Sequence, residues 1–598
     1  MRTDTGAEPE SEGGSATESE AASSAGEPQT VDFLVIGSGS GLDVASAAAS
    51  RGQSVAVVEK GPLGGTCLNR GCIPSKKLLY HAEVLTTIER ADEFGIHADV
   101  TDVEFAEIVR DVTDDVSGSA DSIKRGLRSS SQHTLLEGEG RFVDDRTVEL
   151  VSGPDNGKRV RGETVLIAAG TRPSIPAIEG IDDVDYLTST EALQLETPPD
   201  DLVIVGGGYI AAELAHFFGT FGSDVSIIGR RPRLLPQADE EVGDAVTEQY
   251  ADRFDVYTGY EAVGVSQSGE GQSGDGVTVD ARPYPPAWDD PDDRDALTVS
   301  GETLLVAAGR RPNTDTLNLD ATGVETDAQG FVATDEYLRT TTDGIWALGD
   351  IVGEYLLKHN ANHEAQAVAR NLFGDELEPV DYTAMPFAVF GSPEVAGVGL
   401  REQDLREAAR PYATTTYQYE ETARGQAMHA EGFVKVLIEP NGEILGCHII
   451  GPDAPTLIEE VVVAMKAGTG TVWDIRESVH VHPALSEVVD RAFSGQFTRR
   501  GSDGGGQQHG HGHRHEHGQS DDHEHDQQQD HQTQQHQHDH NHGDDHQHDD
   551  HRNHEGEHTH DHDHGHDHDH ERDHEHNHDR NHDETETDTH SGRNPSQN

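Results

Sequence analysis

The chain has 598 residues and a formal net charge of −69, from 112 acidic and 43 basic side chains. A surface of that sign repels nucleic acid and anionic lipid, so neither is expected as a partner, and no run of about 20 apolar residues exists to span a membrane. Three cysteines, two of them five positions apart, argue against a disulfide scaffold and for a reducing, cytoplasmic interior.

Residues 1–30 are Glu, Ser, Gly and Ala, and residues 501–598 are His, Asp, Glu, Gln and Gly; both have little to bury and are expected to be disordered. No apolar signal segment stands near the N-terminus. About 470 residues remain for folded structure, enough for two or three cores. The acidity suits solubility in high salt, where repulsion is screened over about 3 Å at 1 M, and a halophilic source is expected.

Residues 32–36 read as a buried strand. They run into Gly37-Ser38-Gly39-Ser40-Gly41-Leu42 and an Ala-rich helix over 44–51; residues 54–58 read as a second strand, ending at Glu59. A strand–turn–helix–strand unit with an acid about 20 residues past the first glycine predicts a dinucleotide pyrophosphate at the helix N-terminus and a ribose on Glu59. The third motif glycine is absent; Leu42 holds its place.

Next comes Gly64-Gly65-Thr66-Cys67-Leu68-Asn69-Arg70-Gly71-Cys72-Ile73-Pro74-Ser75-Lys76. A dithiol at this spacing closes on itself with almost no loop entropy, so it can cycle between thiol and disulfide. The glycines let backbone approach a flat partner. The alternative, half of a structural zinc site, needs about four N/S ligands, and the remaining cysteine, Cys447, is far along the chain. Residues 78–110 read as helices with ordinary core spacing, and Phe105 and Phe142 as packing. Residues 164–170 read as a buried strand closing the first domain.

Residues 201–205 open a second unit, followed by Gly206-Gly207-Gly208-Tyr209-Ile210-Ala211, where Ala at the sixth position is a permitted variant. Residues 225–228 read as its second strand. An NAD-specific site would then show an acid. Here Gly229 is followed by Arg230, Arg231 and Arg233. Guanidinium groups there suit a 2′-phosphate, so NADPH is expected over NADH; a solvated basic turn is the alternative. Residues 269–294, rich in Gly, Pro and Asp, read as an acidic surface excursion without function. Residues 303–313 close the second domain.

His359 and His363 read as packing and capping residues at a helix start, not as ligands. Residues 390–395 and 444–451 read as strands, with Cys447 a buried small apolar residue. In His480-Val481-His482-Pro483-Ala484-Leu485-Ser486-Glu487 a histidine stands five residues before a carboxylate, a pairing suited to proton transfer near neutral pH. A metal pair of His480 and His482 is the alternative. The tail holds 28 of the 38 histidines. It reads first as a solvated acidic segment with loose affinity for Zn²⁺, Ni²⁺ or Cu²⁺, and second as a metal buffer.

Residues 31–498 resemble the flavin-dependent pyridine nucleotide–disulfide oxidoreductases, the family of dihydrolipoamide dehydrogenase, glutathione reductase, mycothione reductase and mercuric reductase. The motifs stand in the family's order. The missing third glycine and residues 355–365 point within it toward mycothione reductase. The resemblance implies an α/β fold with two Rossmann-like domains and an α+β interface domain. The FAD-binding domain would cover 31–190, completed by 330–372, the NAD(P)H-binding domain 191–329, and the interface, or dimerisation, domain 373–500. One FAD per subunit would be held by Gly37, Gly39, Gly41, Glu59, Gly65, Thr66, Lys76, Ala169, Gly170 and Lys358, with Gly140 on its adenine and Asp350 on its ribityl chain. NADPH would lie on Gly206, Gly208, Tyr209, Ile210, Glu213, Arg230, Arg231 and Gly309, with Glu213 paired to Lys76. Cys72 would lie against the flavin. Cys67 would face the substrate, its thiol pKa lowered beside an imidazolium. His482, oriented by Glu487, would come from the second subunit of a homodimer as acid/base.

The reaction implied is reduction of a low-molecular-weight thiol disulfide, mycothione-like or bis-γ-glutamylcystine-like. NAD⁺-linked oxidation of dihydrolipoamide is the alternative. Mercuric reductase ranks lower, with no vicinal cysteine pair near the folded C-terminus. A metal-buffering carrier without catalysis is opposed by the intact Cys67, Cys72, His482 and Glu487.

Overall fold

Strand β1 (Gln29–Ile36) is buried from Val31 onward except for Asp32, because sheet neighbours flank it on both edges and helices cover it. It pairs in parallel with β2 (Val55–Glu59), which pairs in parallel with β3 (His133–Glu137). Between these strands run α1 (Gly41–Ala49), α2 (Gly65–Arg70), α3 (Cys72–Glu89) and α4 (Phe105–Ser129). The hairpin β4 (Gly140–Phe142) and β5 (Thr147–Leu150) leads antiparallel into β6 (Arg159–Ile167), which returns parallel to β1. Parallel strands covered on both faces read as continuous apolar runs, which is why this sheet was visible in the sequence. A late strand, Ile345–Ala347, joins it beside β6. The register sets Ile36 opposite both Val58 and Ile167, and Ala347 opposite Ile167. Gly37, Glu59, Ala168 and the Leu348–Asp350 turn therefore emerge at one edge, where parallel sheets bind ligands.

This computed structural model describes residues 27–267, 276–284 and 294–501. Of the disorder expected for residues 1–30, residues 1–26 fall outside them, while Gln29 and Thr30 already belong to β1, paired with Val160 and Arg161; the readings of the histidine-rich tail from 502 also fall outside them. Among the described residues no helix is long and apolar enough to cross a membrane.

A second parallel sheet orders Asp255–Thr258, Asp224–Gly229, Asp201–Val205 and Thr303–Val306, with the helix Tyr209–Thr220 following its central strand. Beside it stands a three-stranded antiparallel sheet of Tyr260–Gln267, Val277–Pro283 and Leu297–Gly301. The excursion expected over 269–294 is thus interrupted by a strand. Val277, Val279 and Ala281 alternate inward and are buried, a two-residue period too short to stand out among the glycines and aspartates. The C-terminal sheet has six antiparallel strands in the order Pro386–Val389, Val395–Gly399, Ile444–Ile450, Phe433–Ile438, Tyr412–Gln418, Thr498–Arg500. Residues 390–394 are the turn between its first two strands, not strand as expected. Cys447 is fully buried in this sheet.

Residues 78–110 also depart from expectation. Leu78, Leu79, Ala82, Phe105 and Val109 are core, but Tyr80, Val84, Ile88, Phe94 and Ile96 are exposed. Helix α3 packs one face on α4 and on the helix Tyr209–Thr220 and leaves the other uncovered on the single chain. Helical periodicity cannot distinguish a core face from a surface awaiting a partner.

Among the contacts between the C-terminal sheet and the second sheet's unit is an ion cluster centred on a buried lysine. Lys435 Nζ, on Phe433–Ile438, lies 2.8 Å from Asp239, 2.6 Å from Glu402 and 3.1 Å from Glu241. Lys435 and Asp239 are almost wholly buried. Removing one partner strands a buried charge, at a cost of about 3–5 kcal/mol. Lys435→Met should lower the unfolding free energy by about that amount, measured by chemical denaturation at fixed salt; an unchanged midpoint would show the cluster to be neutral.

Candidate active site

The first glycine turn is shaped by close backbone contacts. Gly37 has φ +102°, and a Cβ there would lie 2.3 Å from the Ala168 carbonyl oxygen. A Cβ on Gly65 would lie 2.8 Å from the Gly39 Cα, so α2 starts against the turn itself. The absent third glycine is explained at Gly41, where a Cβ would meet Ala168 Cβ at 2.8 Å and Val35 Cγ1 at 2.9 Å. The residue that lets helix and strand approach lies one position earlier in the chain, and Leu42 packs half-buried at its side. Glu59 Oε2 accepts the Ser38 N–H (2.9 Å) and hydroxyl (2.7 Å), and Oε1 accepts the Gly61 N–H (2.7 Å). A carboxylate has about four acceptor sites, so one remains for a ribose hydroxyl.

Cys67 lies in α2 and Cys72 opens α3, both as free thiols. A hydrogen bond from Cys67 lowers the Cys72 thiol to about 6; burial opposes this, and the Lys76 ammonium adds to it. The helix N-terminus favours the same thiolate. The shared hydrogen bond, then burial, pushes Cys67 well above the ordinary thiol value. The lowered pKa expected for Cys67 thus falls on Cys72 in the single chain. Two coupled thiols cannot both ionise easily, and the charged groups of α3 stand nearer Cys72.

Lys76, one turn past Cys72, donates to both Glu213 oxygens, at 2.7 and 2.6 Å. Glu213 is buried and also accepts the Phe390 N–H at 3.0 Å. Lys76 Nζ sits 5.0 Å from the Phe390 ring centroid. Tyr209, one turn before Glu213, is pushed up to about 12 by burial.

A cavity of about 400 Å³ runs along these groups. It is lined by Gly37, Gly39, Glu59, Gly65, Thr66, Cys67, Cys72, Lys76, Ala169, Gly170, Tyr209, Ile210, Glu213, Asp350 and Lys358. Asp350 Oδ2 accepts from the Thr171 hydroxyl at 2.9 Å, and Arg310 Nε donates to the same hydroxyl at 2.8 Å. Glu364, fully buried, accepts the Gly349 N–H at 2.5 Å and so pins the turn bearing Asp350. Gly140 lies outside the cavity, in β4, where a Cβ would meet Val148 and Val58 at 2.8 Å. Gly41, Gly206, Gly208, Gly309, Arg230 and Arg231 do not line it either. Gly206 closes the second turn, its φ +144° and its would-be Cβ 2.2 Å from the Ala307 oxygen.

His482 and Glu487 stand together but apart from the dithiol cavity. Nδ1 lies 3.0 and 3.1 Å from the two Glu487 oxygens. That hydrogen bond holds the Glu487 carboxyl below its ordinary value. The imidazole is 72 % exposed, so on one chain it faces outward. His480 pairs instead with Glu460 at 2.8 Å. His359 and His363 reach the backbone carbonyls of Pro386 and Asp381.

The family model described as pyridine nucleotide-disulphide oxidoreductase matches residues 31–365, and that family's dimerisation domain matches 385–493. The chain belongs to this family. It is 38 % identical to dihydrolipoyl dehydrogenase 3 of Haloarcula marismortui, over 77 % of this chain and 96 % of the relative. It is 35 % identical to mycothione reductase of Mycobacterium tuberculosis, over 78 % and 99 %. Among solved structures it is similar to the Cu(II) complex of the HOCl-induced flavoprotein disulfide reductase RclA from Escherichia coli, at 25 % identity and a TM-score of 0.68, covering 78 % of this chain and 99 % of that one.

The chain is therefore an FAD-dependent oxidoreductase that uses a pyridine nucleotide. The cavity fits the flavin nucleotide on its own chemistry. Lys358 bonds only the Ser40 hydroxyl, and Arg70 makes no hydrogen bond or ion pair among the described residues. Two cations with no ion pair among the described residues, Arg70 acting only at longer range on Glu191, line the cavity that holds the glycine turn, as the two charges of a pyrophosphate require. Arg70, Thr171, Arg310 and Glu364 were not singled out from the sequence. Only Arg70 carried a signal, a cation set between the two cysteines.

In the reduced protein, one thiolate should appear as pH rises through about 6, followed by ultraviolet thiolate absorbance. Cys72→Ala should abolish it, and Cys67→Ala should move it to higher pH by removing the S–H donor. A titration near the ordinary thiol value of about 8.5 would contradict the assignment.

Proposed function

We propose that the protein is a homodimeric NADPH:disulfide oxidoreductase that reduces a low-molecular-weight thiol disulfide, of the mycothione or bis-γ-glutamylcystine kind, through Cys67 and Cys72. The observation that carries this reading is the exposed Arg230–Arg231 pair directly after Gly229, where an NAD-specific site would carry an acid. A 2′-phosphorylated nucleotide donor favours the reductive direction. Bound FAD would accept hydride from the nicotinamide and pass an electron pair to sulfur.

The chain's own residues supply the rest. Lys76 and Glu213 hold each other between the two nucleotide regions, and Lys76 stabilises the Cys72 thiolate. Cys67, deprotonated next to the imidazolium of a second copy's His482, attacks the substrate disulfide. One Cys67–substrate bond forms and one substrate thiolate leaves, protonated at His482 with Glu487 orienting the ring. The Cys72 thiolate then attacks Cys67 sulfur, closing the Cys67–Cys72 bond and releasing the second half of the substrate as a thiolate, which takes its proton from water. The outward-facing His482 and the uncovered face of α3 support a site shared between subunits. The domain limits and cofactor contacts expected from the sequence belong to the same proposal.

Dihydrolipoamide oxidation with NAD⁺ is the second reading, favoured by the 38 % identity to dihydrolipoyl dehydrogenase 3. Steady-state kinetics with NADPH and NADH across a panel of thiol disulfides, and with NAD⁺ and dihydrolipoamide, separate the two. Disulfide reduction with NADPH should dominate; dominance of dihydrolipoamide oxidation would reverse the assignment. Cys72→Ser should keep FAD bound and lose turnover. His482→Gln should lower kcat by about 10²–10⁴-fold, the usual contribution of a positioned acid/base.

A further inference from the structure

The three arginines after Gly229 are not equivalent. Arg233 is engaged internally, its Nε 2.6 Å from Asp244 and its Nη1 3.2 Å from Glu240. Arg230 and Arg231 are exposed. Arg230 is nevertheless placed, its guanidinium carbon 5.3 Å from the centroid of the Tyr284 ring.

Tyr284 directly follows the strand Val277–Pro283. Its position is fixed through Gly259: the Tyr284 N–H donates to the Gly259 carbonyl at 2.8 Å, and the Gly259 N–H donates to the Arg231 carbonyl at 2.8 Å. The arginine turn and the strand end that carries the ring are thus fastened to one residue. Gly259 has φ +73°, and a Cβ there would lie 2.8 Å from Arg294 Nη1. Arg294 in turn lies 5.3 Å over Tyr260. Two arginine–tyrosine stacks therefore flank one glycine beside the turn that is expected to receive the nucleotide's ribose.

Stacking occupies the face of a guanidinium and leaves its N–H donors free in the plane, available for two-point contact with phosphate oxygens. A long side chain held this way has already lost the rotamer freedom that an oxyanion would otherwise have to restrict. We propose that Tyr284 is a positioning residue for coenzyme selection, holding Arg230 for the 2′-phosphate of NADPH. The proposal rests on the NADPH reading above and adds to it the residue, distant in sequence, that makes the arginine effective.

The test compares kcat/KM for NADPH and NADH with one disulfide substrate, together with calorimetric binding of 2′,5′-ADP and 5′-AMP. The unaltered enzyme should prefer NADPH. Tyr284→Ala and Tyr284→Leu should each raise KM for NADPH and weaken 2′,5′-ADP about two- to fivefold, the scale of an exposed cation–π contact. The values for kcat, NADH and 5′-AMP should stay in place. Tyr284→Phe should restore the original values, because the ring does the holding. On an Arg230→Ala background, Tyr284→Ala should add nothing. Undiminished NADPH preference in Tyr284→Ala, or equal losses for both coenzymes, would overturn the role of Tyr284 alone. An unaltered enzyme that prefers NADH would overturn both this role and the reading beneath it.

Discussion

The bidentate pair between Lys76 and Glu213 is the contact around which the two nucleotide regions are arranged. Lys76 stands one turn after Cys72 on the dithiol helix, and Glu213 one turn after Tyr209 on the helix of the second glycine turn. Residues four apart share a helix face, so each end of the pair carries a functional neighbour with it. The pair fixes the separation between the dithiol helix and the helix of the second glycine turn and also sets the charge beside Cys72. Burial of Glu213 removes water that would otherwise screen the interaction.

Positive charge is scarce in this chain, and its distribution is informative. Most of the described cations sit in surface pairs of the kind that contribute little. Among the cations outside such pairs are Lys76 at the dithiol, Lys358 and Arg70 along the cavity, and Arg230 on its tyrosine. Donors left open along the cavity suit a phosphate-bearing ligand.

Legibility in the sequence followed the distance between cooperating residues. The glycine turns, the dithiol, Glu59 and the His482–Glu487 pair are local, with spacing that is itself the signal; Glu59 closes on Ser38 and Gly61, and His482 on Glu487. The Lys76–Glu213 pair spans 137 positions and was visible only through family resemblance. Glu364, Thr171 and Arg310 act through partners far along the chain or through backbone groups, which no residue pattern encodes. The exposed apolar face of α3 misled for a different reason, since burial against a core and burial against a partner demand the same side chains. The substitution of Leu42 for glycine made sense only once Gly41 was seen against Ala168 and Val35.

The cluster at Lys435 behaves differently from the rest of the electrostatics. In molar brine the mobile ions crowd between exposed charges and mute them, but they do not enter the seam where Lys435 and Asp239 meet. The join between the second nucleotide region and the C-terminal sheet therefore keeps its grip at salt concentrations that would loosen every exposed pair, and the posture of that region over the dithiol is insulated from the ionic weather outside.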